Sequence, residues 1–172
     1  MKKLHIYVLI LTGMFATAVA VPVDKENANA NAIDKAEAGD ISGAAEEAGK
    51  NNTALKGSLT WYRQSAIELV SQAYVFKGKQ DDANARRAAT AAIKILLEGY
   101  DKKAAASHAA NRSQTYVQLG QAYEDLLGDR ARARQCFEKA LQDNPDNEQA
   151  KQMLAYYAAE EANFQRFVKG GK

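Results

Sequence analysis

The sequence predicts an all-α fold of antiparallel helix pairs joined by short turns. Alanine, the strongest helix former, occupies 34 of the 172 positions, and proline, the weakest, occupies two. From Leu59 onward apolar residues recur at spacings of three and four, which puts them on one face of a helix. No segment shows the apolar–polar alternation of a half-buried strand.

Three segments of different character precede any detail. Residues 1–20 open with Met1-Lys2-Lys3, run without charge from Ile6 to Ala20, and end in Ala18-Val19-Ala20. A basic start, a short apolar stretch and small residues before a cleavage point make a secretory signal peptide, cut after Ala20. The apolar stretch is shorter than the ~20 residues a spanning helix needs, so no stable membrane span is expected after cleavage. With no cysteine near the cut, a lipid anchor is excluded. The expected location is exported, periplasmic or extracellular. Removing residues 1–20 turns a net charge of +2 into 21 basic against 21 acidic residues and leaves His108 as the single histidine. A neutral chain has no electrostatic reason to bind nucleic acid.

Residues 21–56 read as a poorly ordered Ala/Asn-rich arm. They hold 4 basic and 7 acidic residues and no aromatic one, so little apolar burial offsets the entropy of ordering. Only a marginal helix over 33–48 is expected there. Residues 57–168 form the helical domain, with about five helices.

The first helix places Leu59, Tyr62, Ala66, Leu69, Ala73 and Phe76 on one face and is interrupted at Gly78. The second begins at Asp81-Asp82, whose charges suit a helix N-terminus, and runs to Glu98, ending at Gly99. The third covers 113–127, with a possible start near Lys103, and is broken by Gly128. A fourth, 130–142, buries Ala133, Phe137, Ala140 and Leu141. The turn 143–146 contains Pro145, which has no amide proton to continue a helix. A fifth runs from Asn147 to Val168.

Within this pattern Tyr116, Leu119, Gly120 and Tyr123 are followed by Gly128-Asp129 and then by Ala133, Phe137, Ala140 and Pro145. The stretch resembles a tetratricopeptide (TPR) repeat at about 113–147. Small residues at Gly120, Ala133 and Ala140 let two helices approach, while the aromatic ones fill the space beside them. The interval from Tyr123 to Gly128 is one residue longer than the family pattern, which predicts an insertion at the hairpin turn. Residues 146–155 look like the start of a further repeat that runs long as a terminal cap. Upstream, Tyr74, Gly78 and Ala83 keep the intervals of an earlier repeat, whereas Arg87 and Thr90 stand where the family prefers an aromatic residue and an alanine. The flanking helices are thus degenerate.

The resemblance implies a short TPR-like α-solenoid whose first helices line a groove for a protein or peptide partner. On that register the groove residues are Gln114, Val117, Gln121, Glu124 and Asp125, then Gln149, Gln152, Tyr156 and Glu160, with Ser65, Glu68 and Gln72 upstream. This surface is Gln-rich and lacks the Lys, Arg and Asn with which such domains clasp a C-terminal carboxylate.

Enzymatic chemistry finds little material. Cys136, on a packed helix, and His108 are the only thiol and imidazole of the mature chain, and no catalytic residue, cofactor or metal site is expected. Carboxylate pairs such as Asp81-Asp82 and Glu160-Glu161 are adjacent in sequence and point to different sides of a helix. No Gly-rich phosphate loop and no metal-ligand spacing is present. The arginine clusters at 86–87 and 130–134 read as solvated helix faces. The expected function is an envelope scaffold for protein–protein binding. The alternative is a subunit that assembles with itself through the exposed end of the solenoid, for which Phe164 and Phe167 on the last helix offer an edge.

Overall fold

In the computed structural model, which describes residues 23–170, seven α-helices follow one another with no strand among the described residues. They are α1 (Val23–Glu37), α2 (Ile41–Ala48), α3 (Leu59–Gly78), α4 (Asp82–Lys103), α5 (Ala109–Gln121), α6 (Arg130–Asp143) and α7 (Glu148–Gly170). A 3-10 turn (Ala104–Ala106) follows α4, and a π-helix (Ala122–Leu127) extends α5. The signal-peptide reading of residues 1–20 lies outside the described residues.

Local chemistry explains the helix starts. Ser58 accepts from Trp61 N, Asp81 from Asn84 N, and Asp129 from Arg132 N, so the first turns of α3, α4 and α6 each lose an orphan donor. Asn147 does the same for α7 through Ala150 N. Pro145 and the extended Asn144 end α6, and Asn144 Oδ1 accepts from Asp146 N to close the turn.

Residues 23–56 do not form the poorly ordered arm expected over 21–56. Their α1 and α2 are joined at Gly39, whose φ is +89°, and pack onto α3 and α4. Ala32, Ile33, Ala36, Ala44, Ala45 and Ala48 are all buried in one core with Trp61 and Leu69. Large apolar groups are indeed scarce here. A face of alanines instead lets the helices approach closely enough for packing to replace side-chain bulk. Polar ties fix the orientation: Arg87 of α4 pairs with Asp34 and Glu37, Lys35 pairs with Glu47, and Asn52 donates to Trp61 O.

A second departure concerns Gly99, which does not end its helix. It is buried inside α4, where a β-carbon would lie 2.4 Å from Tyr62 Cβ. Its absent side chain serves the approach of α3 and α4, not helix termination. Gly78, at the matching interval of the upstream pattern, has open space around it.

The core divides in two. The larger part joins α1–α4 with Leu119, Ala122, Leu126 and Cys136. The smaller holds Val117, Ala133, Phe137, Ala140, Ala150 and Tyr157. Tyr116 and Tyr123 pack against both and weld the parts together.

Candidate binding face

The residues read as repeat-structural lie in the α5–α6 hairpin and the turns beside it. Leu119, Ala133, Phe137 and Ala140 are fully buried, and a β-carbon on Gly120 would come within 2.7 Å of Phe137 Cζ. Tyr116 stacks at a tilt on Tyr100, 4.6 Å between centroids. Between Tyr123 and Gly128 the predicted extra residue is absorbed as the π-helix, whose wider turn accommodates it. Gly128 then closes the turn at φ +69°, and Asp129 N donates back to Tyr123 O. Ser113 draws three elements together: buried itself, it donates to Ala140 O and accepts from Asn147 Nδ2.

Helices α3, α5 and α7 lie side by side. Arg63 Nε of α3 donates to Gln118 Oε1 of α5 at 3.1 Å, and Tyr74 Oη donates to Asp125 Oδ2 at 3.0 Å. Lys77 Nζ reaches Asp125 O. On the other side, Gln114 Nε2 approaches Gln149 Oε1 of α7 at 3.5 Å, and Tyr157 Oη donates to Glu124 Oε2 at 2.8 Å.

The solvent-facing stripe of α5 runs through Asn111, Gln114, Gln118, Gln121 and Asp125 at alternating spacings of three and four. Each of these is half-buried between its neighbours. On α3 the corresponding stripe is Gln64, Ile67, Ser71 and Tyr74, with Ile67 and Tyr74 more than a third exposed. On α7 it is Gln149, Gln152 and Tyr156, and Tyr156 donates to Glu160.

Of the residues expected on this face, Gln114, Gln121, Asp125, Gln149, Gln152 and Tyr156 are there. Val117 is not. It is fully buried in one cluster with Phe137 of α6 and with Ala150 and Tyr157 of α7. Glu124 sits on the α7 side, held by the Tyr157 hydroxyl and 3.5 Å from Arg130 Nε. Upstream, Ser65 and Gln72 are buried, Ser65 against Gly49 at the end of α2, and Glu68 pairs with Lys25 of α1. Gln118, Ile67, Ser71 and Tyr74 were missed, although the three–four stripe that contains them is readable in the sequence.

Charge on the face is used internally. Burial raises the Asp125 carboxyl above the ordinary range, against the hydrogen bond from Tyr74. The Tyr156 hydroxyl and Arg130 hold the Glu160 carboxyl below it. Arg130 also lies over the Tyr157 ring, 4.7 Å from its centroid. The arginines at 130–134, read as a solvated face, are exposed or half-buried and each pairs with an acid: Arg130 with Glu160, Arg132 with Asp129, Arg134 with Glu161.

Burial pushes the Cys136 thiol up to about 11, which keeps it protonated and unreactive at neutral pH. Among the described residues no group of three or more His, Cys, Asp or Glu is arranged to hold a metal ion. A cleft of about 310 Å³ between α1, α2 and α3 is lined by Lys25, Glu47, Lys50 and Glu68, whose charges pair with one another.

Residues 113–147 match the family model of the tetratricopeptide repeat. That span covers α5 from Ser113 on, the π-helix, α6 and the turn into α7, and it is one repeat. No curated protein and no solved structure matches the chain significantly. The repeat type is one used as a scaffold for protein–protein interaction.

Proposed function

We propose that the chain, with its one tetratricopeptide repeat, is an exported scaffold that binds a protein or peptide of an envelope complex on the face of α3, α5 and α7. The observation that carries this reading is the continuity of that face. Between α3 and α7, helix α5 presents an amide-rich ladder, Gln114, Gln118 and Gln121, flanked by the exposed side chains of Ile67 and Tyr74 and by the half-buried Tyr156. Amides can donate and accept, so they suit the backbone or polar side chains of an extended or helical ligand. The apolar flanks supply the contact area. The cations present, Arg63 and Lys77, are engaged with Gln118, Asn111 and Asp125 O. Recognition of an internal segment is therefore favoured over capture of a free carboxylate.

Export rests on residues 1–20, with their basic start and Ala18-Val19-Ala20. The N-terminal sequence of the protein recovered from an envelope fraction should begin at Val21, and a start at Met1 contradicts cleavage. For the face itself, the double variant Gln121→Lys with Gln152→Lys tests the reading. Neither residue makes a hydrogen bond that the fold depends on, so helicity should be retained. Partner recovery from a crosslinked envelope fraction should fall sharply, and undiminished recovery excludes this face.

A further inference from the structure

The last turns of α7 are built differently from the rest of the molecule. Along most of its length one stripe of α7, Ala150, Leu154 and Tyr157, packs on the α5–α6 hairpin. The stripe ends where α6 begins, at the pairs of Glu160 with Arg130 and Glu161 with Arg134. Past that point α7 continues for residues 162–170 with no helix beside it among the described residues. At 1.5 Å per residue it projects about 12 Å. The same stripe carries on as Phe164, Phe167 and Val168, which are 64%, 81% and 53% exposed. Their spacings of three and four keep them on one side of the helix.

Charge on this projection has one sign. Arg166 and Lys169 lie off the apolar stripe and pair with no acid among the described residues. From position 162 to the last residue the sequence contains Arg166, Lys169 and Lys172 and no Asp or Glu. The nearest acids, Glu160 and Glu161, are already bound to arginines of α6.

We infer that this projection docks on an anionic lipid surface. A short helix with an aromatic stripe and cations off it can bury its rings at the headgroup boundary while the basic groups reach lipid phosphates. Each cation near such a surface adds to the attraction. Two projections packed on each other would bring uncompensated cations together, which opposes a second copy as the occupant. No helix among the described residues is long and apolar enough to cross a membrane, so the contact is peripheral.

The test is flotation of the full chain with phosphatidylcholine vesicles, with and without phosphatidylglycerol. Any contribution of residues 6–20 is common to all variants of one preparation. Binding should require phosphatidylglycerol and weaken with salt. Phe164→Ser with Phe167→Ser should lower it about tenfold or more. Arg166→Gln with Lys169→Gln should have a similar effect, about tenfold. All four positions are exposed, so circular dichroism should be unchanged. Equal binding by the wild type and the Phe variant overturns the proposal, as does failure to bind phosphatidylglycerol vesicles. A wild-type dimer in sedimentation that the Phe variant dissolves, without vesicle binding, assigns the projection to a second copy and overturns it too.

Discussion

The ring of Phe137 lies so close to the backbone of Gly120 that a β-carbon on the glycine would meet its Cζ at 2.7 Å. Through this contact α5 and α6 reach packing distance.

Gly120→Leu should therefore destabilise the domain by about 1–3 kcal/mol or more through overpacking. Better helix propensity offsets at most about 1 kcal/mol of that. Phe137 is fully buried and packs on Tyr157 at 6.2 Å, so it has little room to yield. Thermal or urea unfolding measures the loss, and an unchanged midpoint would refute the close approach.

Val117 and Gln121 stand one helical turn apart and should behave oppositely. Val117→Ala removes two methyl groups from a fully buried site and should cost about 2 kcal/mol. Gln121→Ala, on the half-buried stripe, should leave stability within about 0.5 kcal/mol. The two lie on the same side of α5, so equal effects in urea unfolding would contradict the difference in their burial.

Acid should loosen the α1–α2 hairpin. Lys50 and Lys35 hold the Glu47 carboxyl below its ordinary value of 4.5. Between the two values the unfolded chain binds more protons than the folded one. The stabilisation is thus present above pH 4.5 and lost as pH falls through the folded value. Asp125, raised by burial, has the opposite sign: protonation relieves it. Amide exchange in α1 and α2 should accelerate below pH 4.5, and Glu47→Gln should flatten that dependence. Exchange that is independent of pH after correction for the intrinsic rate contradicts the role of Glu47.

The Cys136 thiol is 8% exposed and titrates at about 11. Alkylation of the native protein at neutral pH should be much slower than that of the unfolded chain, which exposes an ordinary thiol. Equal rates would show that α6 opens far more readily than its packing implies.

Much of this was legible before any coordinates. The bounds of α3, α6 and α7 follow large apolar residues at three–four spacing, ended by Gly78 or by the turn at Pro145. The extra residue before Gly128 was read as an insertion in the hairpin turn; it lies instead within the helix, as the π-helix. The α1–α2 hairpin was not legible, because alanine faces carry no signal of bulk and their burial depends on α3 and α4 being present. Gly99 was read as a stop because a glycine required by a neighbouring helix looks the same in sequence as one that ends its own. Val117 was misplaced for a related reason. Its burial comes from side chains distant in sequence, among them Ala150 and Tyr157 of α7.

Site-specific photocrosslinking in cells tests the central claim most directly, with the probe placed at Gln121 or, as control, at the exposed Glu138 of α6. The face of α3, α5 and α7 predicts a discrete crosslinked partner from Gln121 and none from Glu138. The same partner from both positions, or from Glu138 alone, would contradict it.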